Sequence, residues 1–203
     1  MEESRLVLAS TSPYRRDLLA RLRIPFECAR PEFAEAAPTE GSFEEARELA
    51  RSNARGKAAS LCEGFPGSLI LGSDQVCESD GRILHKAGTK ERAIEQLRWL
   101  AGREHRLHTA VALIDSRTGE IETEIEVTHL RIRDLSAERI AYYVETELPL
   151  DSAGSYYSEG LGIALFEYSR GDDPTAIIGL PLTKVCRLLE RRGLGPLDGH
   201  GGG

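Results

Sequence analysis

Ser10-Thr11-Ser12-Pro13-Tyr14-Arg15-Arg16 joins aliphatic hydroxyls to two arginines where the pattern predicts a helix start. A helix N-terminus presents unpaired N–H groups and a partial positive charge, which suits an anion. Arginines in a first turn oppose that dipole, so they point to a phosphate that offsets the misfit. The alternative is that both curl outward into water. Lys57 borders the apolar stripe of a second helix, four residues after Asn53 and four before Leu61. A lysine there takes a partner or a ligand, or it snorkels with its head exposed. Asp74 follows the apolar run Leu69-Ile70-Leu71 after Gly72-Ser73. Ligand crevices form at the carboxyl ends of strands in α/β sheets, and a carboxylate there can hold a metal or deprotonate water. A lone aspartate in a loop more often caps a turn. Gly154-Ser155-Tyr156-Tyr157-Ser158-Glu159-Gly160 can approach a flat polar ligand closely, or form a surface loop.

The elements that must position these residues follow from periodicity. Leu6–Ala9 and Phe26–Ala29 read as strands. Between them a helix starts at Ser12-Pro13 and carries Leu18, Leu19 and Leu22. Residues 30–42 read as loop. Ser42-Phe43-Glu44-Glu45 is a capping box that opens a long helix through Leu61. Residues 68–72 form a buried strand, and Thr89 caps a helix with Ala93, Leu97 and Leu100. From Arg106 to Ile132 the period is two, around a turn at 115–119. Ser136 starts a helix with Ile140 and Tyr143 or Val144 facing in. Strands are predicted at 161–165 and 177–180, then a helix from Thr183 to Arg192 closed by Gly193. The fold class is α/β, a mixed twisted sheet flanked by helices. One domain spans 1–195, with room for two lobes, and 196–203 reads as a flexible tail.

Composition narrows the partners. The chain has 203 residues with 26 Lys+Arg against 33 Asp+Glu, a net charge of -7. Proteins that coat nucleic acid carry a basic face, so this balance speaks against that role. No apolar run approaches the roughly 20 residues of a membrane span. Cys28, Cys62, Cys77 and Cys186 are scattered, which fits reduced thiols better than disulfides or zinc. The opening Met1-Glu2-Glu3-Ser4-Arg5 lacks the basic-then-apolar order of a signal peptide, so the cytoplasm is the expected compartment. There is no GxxxxGK[ST], no GxGxxG after a strand and no HExxH.

The string LVLASTSPYRRDLLARL resembles the opening of the Maf-type nucleoside triphosphate pyrophosphatases. Ala54-Arg55-Gly56-Lys57-Ala58, Gly72-Ser73-Asp74-Gln75-Val76, Ala153-Gly154-Ser155-Tyr156 and Ile177-Ile178-Gly179-Leu180-Pro181-Leu182 match the family in order, over residues 6 to 192. The resemblance implies a central cleft. It implies triphosphate binding by Ser10 and Arg15, and cationic phosphate ligands at Lys57 and Lys86. Glu35 and Asp74 occupy its acidic positions, which hold a divalent metal, Mg²⁺ or Mn²⁺, and Asp74 is its general base. Tyr14, Gln75 and Glu159 resemble the branch that acts on 7-methyl-GTP. The pyrimidine-triphosphate branch has arginine, threonine and glutamine at those places.

The resemblance thus implies a small-molecule nucleotide as partner, no nucleic acid or membrane, and a homodimer. Two other readings are a pyrophosphatase for dTTP and UTP, and a nucleotide-binding regulator without turnover. Three departures stand out: Ala34-Glu35 for an Asp-Glu pair, His85-Lys86-Ala87 for Gly-Lys-Pro, and Ala110 for a glycine. Without proline at 87, Lys86 is expected to be freer.

Overall fold

The structure, a computed structural model, describes residues 5–198. The strands are β1 Leu6–Ala9, β2 Phe26–Ala29, β3 Leu69–Ser79, β4 Arg82–Leu84, β5 Glu104–Asp115, β6 Ile121–Ile132 and β7 Phe166–Arg170. The helices are α1 Pro13–Ala20, α2 Phe43–Ala59, α3 Lys90–Leu100, α4 Ala137–Glu147 and α5 Leu182–Glu190. The seven strands form one mixed sheet in the order β2-β1-β3-β5-β6-β7, with β4 paired to β3. β1 runs parallel to β2 and β3, and the other pairings are antiparallel. Four of the five helices start where hydroxyls accept from the first turn: Ser12, Ser42, Thr89 and Ser136 each cap their helix, Ser42 with Glu45 in a full capping box, while α5 follows Pro181 without a side-chain cap.

Alternation along β1 and β5 divides the core between two faces. Leu6, Leu8, Val111 and Leu113 pack with Leu18 and Leu19 of α1 and Val185, Leu188 and Leu189 of α5. Val7, Ala9, Ile70 and Ile114 pack with Ala58 of α2. α3 and α4 cover Cys77, Leu107, Leu130 and Ile132.

α2 lies close on β3 because Gly72 carries no side chain. A Cβ there would sit 2.2 Å from the Ala54 carbonyl oxygen and 2.9 Å from the Ala58 nitrogen, both backbone atoms. Gly72→Ala must therefore push α2 off the sheet two residues from Asp74. We expect at least the roughly 1–3 kcal/mol typical of overpacking, read as a lower urea midpoint. An unchanged midpoint would show that the helix–sheet contact is loose.

Three expectations need correction. The strand containing Gly72 does not stop before Asp74 but continues to Ser79. Residues 161–165 are a 3-10 helix rather than a strand, and β7 begins only at Phe166. Residues 176–178 are a 3-10 turn, ended by Gly179 at φ 118. Of the 196–203 segment, residues 199–203 lie outside the described residues, and Asp198 closes a turn back to Gly195 at 3.1 Å.

Candidate active site

β1 ends at Ala9, whose partner in β3 is Gly72, and β3 runs on without a neighbouring strand on that side until β4 pairs with Cys77–Ser79. Asp74 thus lies two residues past the parallel pairing, where the sheet opens. The cleft there is about 710 Å³. All nine site residues expected from the sequence line it: Ser10, Tyr14, Arg15, Glu35, Lys57, Asp74, Gln75, Lys86 and Glu159.

At its floor two carboxylates converge on one ammonium. Lys57 Nζ lies 2.6 Å from Asp74 Oδ1 and 2.7 Å from Glu35 Oε1. Lys57 and Asp74 are each only 6% exposed, so Lys57 is paired rather than snorkelling. Asn53 Nδ2 donates to the other Asp74 oxygen at 3.0 Å. Asp74 is therefore fixed from both sides by one helix, Asn53 and Lys57 being a turn apart on α2. Asn53, 3% exposed, was not among the expected site residues. The signal was its i,i+4 spacing from Lys57 on a buried face.

Glu35 reaches Lys57 because its loop is pinned to α2. The Glu32 amide donates to Ser60 Oγ at 3.1 Å, and the Phe33 ring lies where a Cβ on Gly56 would be. Partial burial raises the Glu35 pKa, but the Lys57 hydrogen bond and the charges of Lys57, Lys86 and Arg15 outweigh it. The net shift is downward, so Glu35 is a carboxylate at neutral pH.

The two arginines of α1 take different courses. Arg16 turns out to solvent and pairs with Asp17 at 3.2 Å. Arg15 turns in, and its Nε donates to the Gly179 carbonyl at 2.9 Å. Burial lowers the Arg15 pKa, and the nearby Asp74 and Glu35 charges oppose that shift. The 3-10 turn that supplies this carbonyl is gripped by the sheet. Gln75 Nε2 donates to the Ala176 carbonyl at 2.9 Å, Thr109 Oγ1 to the same carbonyl at 3.0 Å, and Ser73 Oγ lies 3.0 Å from Gly179 O. The Gln75 amide nitrogen is thus spent on positioning the turn that orients Arg15.

Lys86 is exposed on the cleft rim, but its backbone is not free. It forms a bridge with Ala153, the Gln96 amide donates to the His85 carbonyl at 2.9 Å, and the Gly88 amide donates to Leu150 O at 2.9 Å. Ala87, 1% exposed, packs into the core. These ties replace the restraint expected of a proline. Ala110, paired with Asp74 across the sheet, packs among Ala50 and Ala54 without disturbing the cleft.

Ser10 Oγ accepts from the Ser12 amide at 3.1 Å, which shapes the turn into α1. Tyr14 lies against Tyr157, with ring centroids 5.5 Å apart. Glu159 is exposed and accepts from Ser158 Oγ at 3.2 Å. Among the described residues no group of three or more His, Cys, Asp or Glu forms a metal cage.

A family model described as Maf-like protein matches residues 5–192. The chain belongs to the Maf family. This Maf-family chain is 43% identical over 192 residues to a protein of Albidiferax ferrireducens named 7-methyl-GTP pyrophosphatase, covering 95% of each. The solved structure of the Staphylococcus aureus Ham1 protein superposes with a TM-score of 0.52 at 14% identity, covering 93% of this chain and 100% of that one. That likeness concerns the fold, which is the expected mixed α/β sheet flanked by helices. No helix among the described residues is long and apolar enough to cross a membrane.

Proposed function

We propose that this chain is a nucleoside triphosphate pyrophosphatase that hydrolyses 7-methyl-GTP to 7-methyl-GMP and pyrophosphate. The observation that carries this reading is the cleft itself. It sets three cations, Arg15, Lys57 and Lys86, around a fixed aspartate, with an aromatic and acidic rim alongside. The activity named for the Albidiferax relative supports the same substrate.

In this reading Arg15, Lys57 and Lys86 hold the triphosphate and offset charge developing on the leaving pyrophosphate. Asn53 orients the Asp74 carboxylate, which takes a proton from the water attacking the α-phosphorus. Glu35 and Asp74 offer a divalent cation two hard carboxylate donors, with Lys57 Nζ filling the point between Oε1 and Oδ1, so a metal would sit beside that ammonium rather than in its place. Mg²⁺ is commonly held by one or two carboxylates plus substrate phosphates rather than by a full protein cage. Bound there, Mg²⁺ or Mn²⁺ would act as a Lewis acid on phosphate oxygens.

Methylation at N7 gives guanine a delocalised positive charge. Tyr14 supplies an electron-rich face for it, and the Glu159 carboxylate accepts from the N1–H and N2–H donors. Glu159→Gln is expected to lower kcat/KM for 7-methyl-GTP by roughly tenfold while changing UTP much less. An unchanged preference between the two would remove Glu159 from base recognition. Four free thiols fit the cytoplasm as the setting, and a homodimer is part of the same reading.

A panel of triphosphates assayed for pyrophosphate release with Mg²⁺ or Mn²⁺ tests the whole. The expected result is the highest kcat/KM for 7-methyl-GTP. Highest turnover of dTTP or UTP would assign the chain to pyrimidine nucleotides instead. Tight binding without turnover would make it a regulator.

A further inference from the structure

We propose that Tyr157 is a specificity-determining residue of the base subsite, acting with Tyr14 and Asp151 to select a nucleobase that carries positive charge. The proposal rests on the nucleotide reading of the cleft and extends it to Asp151 and to Tyr157, which the sequence offers only as part of a segment able to approach a flat polar ligand.

Four consecutive residues show how Tyr157 is mounted. Gly154 has φ 78, and a Cβ on it would fall 2.9 Å from the Tyr156 ring and 3.2 Å from Cys77 Sγ. Ser155 follows at φ 61, an uncommon conformation for a residue with a side chain. It is fully buried, and its hydroxyl donates to Gln96 Oε1 at 2.6 Å. Tyr156 is 3% exposed, its hydroxyl lies 2.8 Å from His105 Nε2, and its ring meets Phe166 edge-on at 4.9 Å. The Tyr157 amide then donates to the hydroxyl of the buried Tyr143 at 3.0 Å. Strained backbone of this kind persists where the surroundings over-determine it, and it clusters at ligand sites.

The result of this packing is a half-buried Tyr157 ring on the cleft wall. It meets Tyr14, 143 residues away in sequence, at 5.5 Å between centroids and 31° between planes. Burial and the neighbouring Tyr14 raise the Tyr157 pKa, so the ring stays neutral and electron-rich at ordinary pH. Asp151 and Glu159 bring two exposed carboxylates to the same cleft on either side of Tyr157 in the chain. Two aromatic rings with flanking carboxylates attract a flat cation more than a neutral ring of the same shape. The two carboxylates disfavour the triphosphate at this end.

The test is calorimetric titration of the intact protein with 7-methyl-GMP and with GMP, which need no turnover. The wild type should bind 7-methyl-GMP more tightly. Tyr157→Leu should lower that ratio by about 2–30-fold, and Tyr157→Phe should preserve it. Asp151→Asn should lower it less, because the carboxylate is exposed and screened. Thermal melts of both Tyr157 variants establish that they fold. An unchanged ratio in Tyr157→Leu, or a ratio near one in the wild type, overturns the proposal. A wild type that prefers 7-methyl-GMP but never cleaves 7-methyl-GTP would sink the pyrophosphatase reading and leave this one standing.

Discussion

Asp74→Asn should lower kcat by about 10²–10⁴-fold, the range for loss of a general base. The amide keeps the carboxylate's shape but can neither accept the proton from water nor hold a cation as a charged oxygen does. Folding should survive the change. Lys57 would lose one buried partner, which in isolation is costly, but it keeps Glu35 at 2.7 Å. A thermal melt near that of the wild type, together with the collapse in pyrophosphate release, is the expected pair of results. If the variant kept more than roughly a tenth of kcat, Asp74 would not be the base.

Arg15→Ala and Lys57→Ala should each weaken triphosphate binding far more than nucleoside binding. A hydrogen bond to a charged group contributes about 1.5–3 kcal/mol, or roughly 10–150-fold in affinity. Arg15 is held in place by the Gly179 carbonyl at 2.9 Å, and among the described residues its other guanidinium donors have no hydrogen-bond partner, which leaves them to meet phosphate oxygens. Arg16 is the internal control. It stands one residue along, in solvent, paired with Asp17, and such exposed pairs contribute little. Arg16→Ala should leave binding within about twofold. Isothermal titration with a non-hydrolysable triphosphate analogue and with the nucleoside separates these cases. Equal losses for both ligands would place Arg15 and Lys57 against the base.

Where local chemistry decided the structure, the residues were legible. Ser12-Pro13, Ser42 with Glu45, Thr89 and Ser136 all announce helix starts, because capping depends on neighbours within one turn. The hairpin of β5 and β6 is visible from its turn at 115–119 and from the alternation in the second half of β6, whereas β5 is buried on both faces and carries no period of two. Legibility fails where distant partners decide. Leu161, Ile163 and Leu165 alternate like a strand, yet Ile163 is 64% exposed and Leu165 is buried. Gly162 packs so tightly on the Tyr157 carbonyl that a Cβ would sit 2.2 Å away, a long-range contact made by the coiled segment. The apolar run Ile177-Ile178-Gly179-Leu180 is bent instead by Gln75 donating to the Ile177 carbonyl and Arg15 to the Gly179 carbonyl, with Gln75 and Thr109 also holding the preceding Ala176 carbonyl. None of those contacts leaves a trace in local pattern.

The candidate site divides the same way. Arg15, Lys57 and Asp74 stand out as charges at helix starts or beside apolar stripes. Asn53 does not, because an asparagine in such a place is unremarkable until its partner is seen, and Tyr157 shows only as one member of the 154–160 segment. Asn53 matters through a 3.0 Å bond to Asp74, and Tyr157 through Tyr14.

In the proposed reaction, water deprotonated at Asp74 attacks the α-phosphorus of 7-methyl-GTP. Hydrolysis in ¹⁸O-labelled water, with the products resolved by mass spectrometry, shows which phosphorus is attacked. Labelled oxygen should appear in 7-methyl-GMP, with an equal amount of unlabelled pyrophosphate. Label in the pyrophosphate would mean attack at the β-phosphorus, and release of 7-methyl-GDP with inorganic phosphate would mean a different bond is cut; either result would rule out hydrolysis at the α-phosphorus.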